Sequence, residues 1–192
     1  MTGTWTRRHL LNAALVAGAG LPFACYGFAQ SPTEGAAEAV KLPERLIELF
    51  NTHTNETVSV VFKRGDKYDP AALAALKNVL RDHRNGKSHD MDAGLYDQLY
   101  ELAAAAGVEP RYEIISGYRS PESNDQMSSR TGSGVAKKSL HMQGRAMDVR
   151  LRKCSCETLR DLALAAKRGG VGYYQRSNFV HIDTGAFRTW VG

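Results

Sequence analysis

What the chain lacks narrows its class first. It has three cysteines in 192 residues, and no two of them form the repeated Cys-x-x-Cys pairs of a four-thiolate zinc site. No stripe of Lys and Arg interleaved with aromatics is present, so a formal net charge of +5 is too diffuse to argue for nucleic acid. No internal repeat is evident, which removes solenoid and array architectures. The apolar stretch Leu10–Phe23 is interrupted by Gly18, Gly20 and Pro22 and is shorter than the roughly 20 residues that cross a bilayer. What remains, 43% hydrophobic and 23% charged, fits one globular domain.

The N-terminus reads as an export signal. Arg7-Arg8 precedes the apolar stretch, and Gly27-Phe28-Ala29 places small residues where a signal peptidase cuts. Thr6–Leu11 resembles the twin-arginine version, so the expected partner is the twin-arginine export machinery, with cleavage after Ala29 and no stable membrane insertion afterwards. Cys25 could mark a lipid anchor, but Pro22 and Phe23 sit where a lipobox wants leucine and a small residue. Removing the signal leaves 23 basic residues against 20 acidic ones, a net of +3, which suits an anionic surface such as a cell wall. The remaining Cys154 and Cys156 flank one serine; a disulfide across so small a ring is strained, so two thiols are expected.

Residues 30–44 read as a linker, and 45–192 as the domain. Arg45–Asn51 and Thr57–Lys63 are β-formers around a turn at Thr54-Asn55-Glu56. Asp69-Pro70 starts a helix to about His83, carrying Leu73, Leu76, Val79 and Leu80 inward. Asp92–Ala106 repeats the pattern until Gly107. Strands follow at Tyr112–Ser116, Ala146–Leu151, Val171–Tyr174 and Asn178–Asp183, with a helix near Ser155–Lys167 and a polar loop over Pro121–Lys138. The order predicts an α+β fold with a mainly antiparallel central sheet and helices packed on it.

Three segments carry chemistry. Ser139–Asp148 sets His141 seven residues before Asp148, with Gly144 allowing the backbone to double back between them. Alone this spacing is weak, and a solvated histidine beside an unrelated strand aspartate explains it as well. Phe179–Gly185 places His181 and Asp183 on one strand face, where a satisfied core histidine is the bland reading. Ser116–Pro121 delivers Arg119 at a strand's end, where a guanidinium can hold a substrate carboxylate or a developing oxyanion. Two imidazoles and a carboxylate make a three-ligand zinc set with room for water.

Together, Ser116–Pro121, Ser139–Asp148 and Gly169–Gly185 resemble the zinc peptidases that include D-Ala-D-Ala dipeptidases and carboxypeptidases. More closely, they resemble exported murein endopeptidases of the MepK type. The resemblance spans Arg45 onward. It implies a LAS/hedgehog-type peptidase fold with the zinc site at the sheet. It also implies Zn2+ on His141, Asp148 and His181, Arg119 as substrate and transition-state contact, and peptidoglycan stem peptides as partner in the periplasm. Tyr118, Ser139 and Gln143 are further pocket candidates; His53, His83 and His89 read as surface residues. Many relatives carry an acid three residues before the last histidine, where this chain has Asn178, and an amide cannot take a proton from water. Asp183 is then either the general base or a partner orienting His181. The implied reaction is hydrolysis of peptide cross-links, with 3-3 links expected. A D,D-carboxypeptidase that trims stem peptides and a zinc-containing but non-hydrolytic wall-binding protein are the alternatives.

Overall fold

A computed structural model describes residues 42–131 and 134–192. The expected signal at 1–29 and residues 30–41 of the expected linker lie outside the described residues. Eight strands form one sheet in the order β3-β2-β1-β4-β5-β7-β6-β8. They are β1 (Glu44–Asn51), β2 (Thr57–Arg64), β3 (Lys67–Tyr68), β4 (Arg111–Ser116), β5 (Ala146–Leu151), β6 (Gly170–Tyr174), β7 (Phe179–Asp183) and β8 (Arg188–Val191). The helices are α1 (Pro70–Val79), α2 (Ala93–Ala105), α3 (Pro121–Ser128) and α4 (Cys156–Ala166). The class is α+β, and the sheet is mixed rather than strictly antiparallel: five of its seven strand pairings are antiparallel and two are parallel. Strand β1 pairs parallel with β4 after a long crossover through α1 and α2, and the chain leaving β7 passes β6 so that β8 pairs parallel with β6 at the sheet edge.

Strand alternation divides the sheet into two faces with different tasks. Met147, Val149 and Leu151 of β5, Val180 and Ile182 of β7, and Val171 and Tyr173 of β6 face the buried core. There they meet Leu76 and Val79 of α1, Leu95, Leu99 and Leu102 of α2, and Leu159 and Ala163 of α4. Each fully buried Leu or Ile contributes on the order of 1.5–3 kcal/mol, so this face anchors the fold. The residues between them, including Asp148, His181 and Gly172, therefore point to the opposite face.

Local signals set most element ends. Asp69 caps α1 by accepting from Ala71 and Ala72 backbone N–H groups, with Pro70 at the first turn. The helix stops at Val79, short of His83, because the following chain is tied elsewhere. The Leu80 carbonyl accepts from Tyr118 N–H, and the Asp82 carboxylate accepts from Ser120 and Arg84 N–H groups. Pro121–Ser128 is a helix, where the sequence predicted a loop; Ser120 caps it by accepting from Ser123 N–H. Among the described residues, no helix is long and apolar enough to cross a membrane.

Candidate metal centre

Adjacent strands and a tight turn bring three side chains to one point. Asp148 on β5 lies directly opposite His181 on β7, so both project from the face away from the core. His141 arrives from a short 3-10 turn, Leu140–Gln143, capped by Ser139, whose hydroxyl accepts from His141 N–H. Gly144 ends that turn at φ 65°, a backbone conformation that side chains disfavour. A Cβ there would also collide with the Asp90 carbonyl oxygen, so glycine is what lets the chain return into β5.

The candidate ligand atoms lie within 4.8 Å of one another. His141 Nε2 is 3.3 Å from Asp148 Oδ1 and 3.2 Å from His181 Nδ1. His181 Nδ1 is 2.8 Å from the same carboxylate oxygen. The outer ring nitrogens are also held. His141 Nδ1 donates to the Gly117 carbonyl at 2.7 Å, and His181 Nε2 donates to Asp183 Oδ2 at 3.0 Å. Each bond fixes one tautomer and leaves the other nitrogen's lone pair facing Asp148, an arrangement typical of metal-ligating histidines. Two imidazole nitrogens and one carboxylate suit a transition ion better than the oxygen-only cages of Mg2+ or Ca2+. The residues present therefore fit a metal.

All three are buried, at 2% exposure for His141 and 7% for Asp148 and His181. Burial works against charge on Asp148, yet the imidazoles of His141 and His181 hold its carboxyl well below the usual carboxylate range. Burial pushes His141 down, only partly opposed by Asp148. Burial also opposes protonation of His181, but Asp148 and Asp183 outweigh it and raise the group. The cluster thus keeps Asp148 ionised beside two imidazole nitrogens, a donor set that a cation would satisfy.

The centre lines a cleft of about 430 Å³. Arg119 lies in it, 7% exposed, with Nη2 3.8 Å from Asp148 Oδ2. Its bonds to Asn124 Oδ1 and Ser116 Oγ are long, at 3.4 and 3.3 Å, and its Nε has no partner. Ser116 sits opposite Asp148 because Ile115 is an extra residue in the β4–β5 ladder. Ser139 also lines the cleft.

Other predicted positions fall elsewhere. Tyr118 is outside the cleft, stacked on His89 with ring centroids 5.2 Å apart. Gln143 is exposed on the turn's outer side and does not line the cleft. Asp183 is fully buried behind the His181 ring, and its geometry does not suit a general base. Oδ1 accepts from Gly170 N–H, Gly185 N–H and Arg188 Nη1, and Oδ2 from Arg188 Nη2 and His181 Nε2. Burial opposes its charge, but His181 and Arg188 hold it far below the usual range. Asn178 is a turn residue at φ 52° outside the cleft, where Asn is among the better-tolerated side chains. Asp148 is the only carboxylate among the described cleft-lining residues.

The cleft also holds residues outside the sequence candidates, among them Trp190, Arg188 and His53. Trp190 packs at 5.0 Å against His181, and its Nε1 donates to Tyr174 Oη at 3.0 Å. Arg188 lies beside it on the unforeseen β8. His53, read as a plain surface residue, lines the cleft with Nε2 3.1 Å from the Ile115 carbonyl and stacks on half-buried His83 at 3.8 Å. The one available signal was the alternation of Arg188 and Trp190 after His181-Ile182-Asp183.

A buried two-histidine, one-carboxylate cluster on the floor of a cleft, flanked by a lightly tethered arginine, is a candidate centre for metal-dependent hydrolysis. Comparison with known proteins narrows this to one group of peptidases. The family model described as "Peptidoglycan L,D-endopeptidase MepK" matches residues 39–190, and the chain belongs to that family. It is 43% identical over 164 residues to the peptidoglycan L,D-endopeptidase MepK of Escherichia coli strain K12, covering 85% of this chain and 90% of that protein. The MepK of Shigella flexneri matches to the same extent. The probable MepK of Haemophilus influenzae is 38% identical over 149 residues, covering 77% and 80% of the two chains. No solved structure gives a significant match.

Proposed function

We propose that the chain is a zinc metallopeptidase that hydrolyses peptide cross-links of peptidoglycan, 3-3 links first, in wall growth or remodelling. The observation that carries this is the convergence of His141 Nε2, Asp148 Oδ1 and His181 Nδ1 beside Arg119 in one cleft. The family and its named activity support the choice of substrate. On the same reading the fold is of the LAS/hedgehog type and residues 1–29 are a twin-arginine signal. The protein then works in the periplasm on stem peptides.

Each group has a chemical task. Zinc, when bound, would supply a Lewis acid and lower the pKa of bound water to about 7. His141 and His181 present lone pairs because Gly117 and Asp183 hold their outer N–H groups. Arg119 lies close enough to Asp148 to share the reacting space, and the long hydrogen bonds of its two Nη atoms leave those donors lightly engaged for a substrate oxygen. One such donor to a developing oxyanion contributes about 2.7–4 kcal/mol to the transition state. With Asp183 behind His181 and Asn178 in a turn, acidified water would be what an ion held by His141, Asp148 and His181 supplies in place of a separate carboxylate base.

Digesting purified sacculi and separating the muropeptides tests the reading. Conversion of 3-3 cross-linked dimers to monomers is expected. Shortened monomers alone would indicate the carboxypeptidase, and unchanged muropeptides with zinc bound would leave only the wall-binding protein.

A further inference from the structure

Strand β8 runs parallel to β6 in a register that sets Arg188 opposite Gly170 and Trp190 opposite Gly172. A Cβ on Gly170 would strike the Arg188 guanidinium and the Asp183 carboxylate, and one on Gly172 would strike the Trp190 indole. The two glycines therefore form a trough in the sheet face, and these side chains lie in it. Arg188 and Trp190 are two residues apart, so both face the metal cluster. The guanidinium carbon sits 5.1 Å from the Trp190 ring centre.

What the two residues touch gives the trough a purpose. Arg188 grips Asp183 through both oxygens, Nη2 to Oδ2 at 2.6 Å and Nη1 to Oδ1 at 3.1 Å. The same Oδ2 receives His181 Nε2. Two parallel charge-assisted bonds fix the carboxylate plane, and the carboxylate fixes the plane and tautomer of the imidazole. Trp190 closes one side of that imidazole at 5.0 Å. With water in place of Arg188, the Gly170 and Gly185 N–H groups would still hold Oδ1, but Oδ2, the oxygen that meets His181, would lose its fixed donor.

We propose that β8 is a clamp on the metal centre: Arg188, seated over Gly170 beside Trp190 over Gly172, is a positioning residue that sets metal affinity by orienting His181 through Asp183. The inference rests on the proposed metal-centre reading. Its test measures zinc affinity alone, by chelator competition on the purified chain, without peptidoglycan. Removing a group that orients a metal ligand typically lowers affinity 10- to 100-fold. Arg188→Ala is expected to show a loss in that range, Arg188→Lys a smaller one, and added guanidinium ion should restore part of the Arg188→Ala deficit. A merely structural arginine would lower the melting temperature without changing affinity or responding to guanidinium. Wild-type affinity in folded Arg188→Ala would overturn the clamp alone. Should Arg188→Ala fail to fold, wild-type affinity in Arg188→Lys would overturn it equally. Absence of zinc binding by the wild-type chain would instead overturn the metal-centre reading beneath it.

Discussion

Asp183→Asn separates two roles for the carboxylate behind His181. Both oxygens of Asp183 accept only from N–H donors, five in all. An amide must turn its NH2 toward one of the two donor sets. Placed at Oδ1, it opposes the Gly170 and Gly185 backbone N–H groups, which cannot change protonation. Placed at Oδ2, it opposes Arg188 and His181, and the imidazole can yield by moving its proton to Nδ1. That second orientation is the accessible one, and it puts an N–H where a metal needs a lone pair. Hydrogen bonds to charged groups contribute about 1.5–3 kcal/mol each. Loss of the Arg188 bond and reversal of the His181 bond should therefore lower zinc affinity about 100-fold, the upper end for a ligand's supporting partner. Zinc competition followed by kcat at saturating zinc reads this out. If Asp183→Asn binds zinc as wild type does and loses kcat alone, Asp183 takes a proton during the reaction and the orienting role is refuted.

Other outcomes follow from the same geometry. Gly144→Ala should destabilise the protein by at least about 1–2 kcal/mol, since it strains a left-handed position and meets the Asp90 carbonyl; an unchanged urea midpoint contradicts this. Asp97, with 11% of its side chain exposed, accepts from Arg45, Lys63 and Tyr68, so Asp97→Asn should lose about 2–3 kcal/mol at neutral pH. Burial opposes the Asp97 charge, but Tyr68 and Lys63 depress its folded pKa. Its stabilisation is therefore complete above an ordinary carboxylate pKa of about 4 and fades as pH falls through the lower folded value; a denaturation series in acid checks the direction. Burial first, then Arg84 and His53, lowers His83 from 6.5 to about 4. The unfolded chain thus binds the proton first, and stability should fall as pH drops through that window. His83→Asn should flatten this slope, and an unaltered slope would assign it to another group.

Much of the centre was legible because its parts are short and local. The spacing of His141, Gly144 and Asp148 encodes a turn into a strand, and alternation in β7 put His181 and Asp183 on one face. The alternation could not say which side of the His181 ring Asp183 would occupy. That depends on Gly170, Gly185 and Arg188, contributed by other segments. Helix α3 was hidden because its buried residues are Ser123 and Asn124, which give no apolar periodicity. Ser120-Pro121 nevertheless carried the same start signal as Asp69-Pro70. Strand β8 is four residues long, too short to stand out, and its pairing with β6 is a property of the sheet. Tyr118 sits beside the decisive Arg119, but adjacent residues diverge, and its ring packs on His89 instead.

The central claim is that His141, Asp148 and His181 together hold one metal ion. Zinc per chain, measured by elemental analysis after dialysis of the wild-type, Asp148→Ala and His181→Ala proteins, tests it most directly. About one zinc per wild-type chain is expected, and almost none in either folded variant. Full zinc occupancy retained by either variant would contradict it.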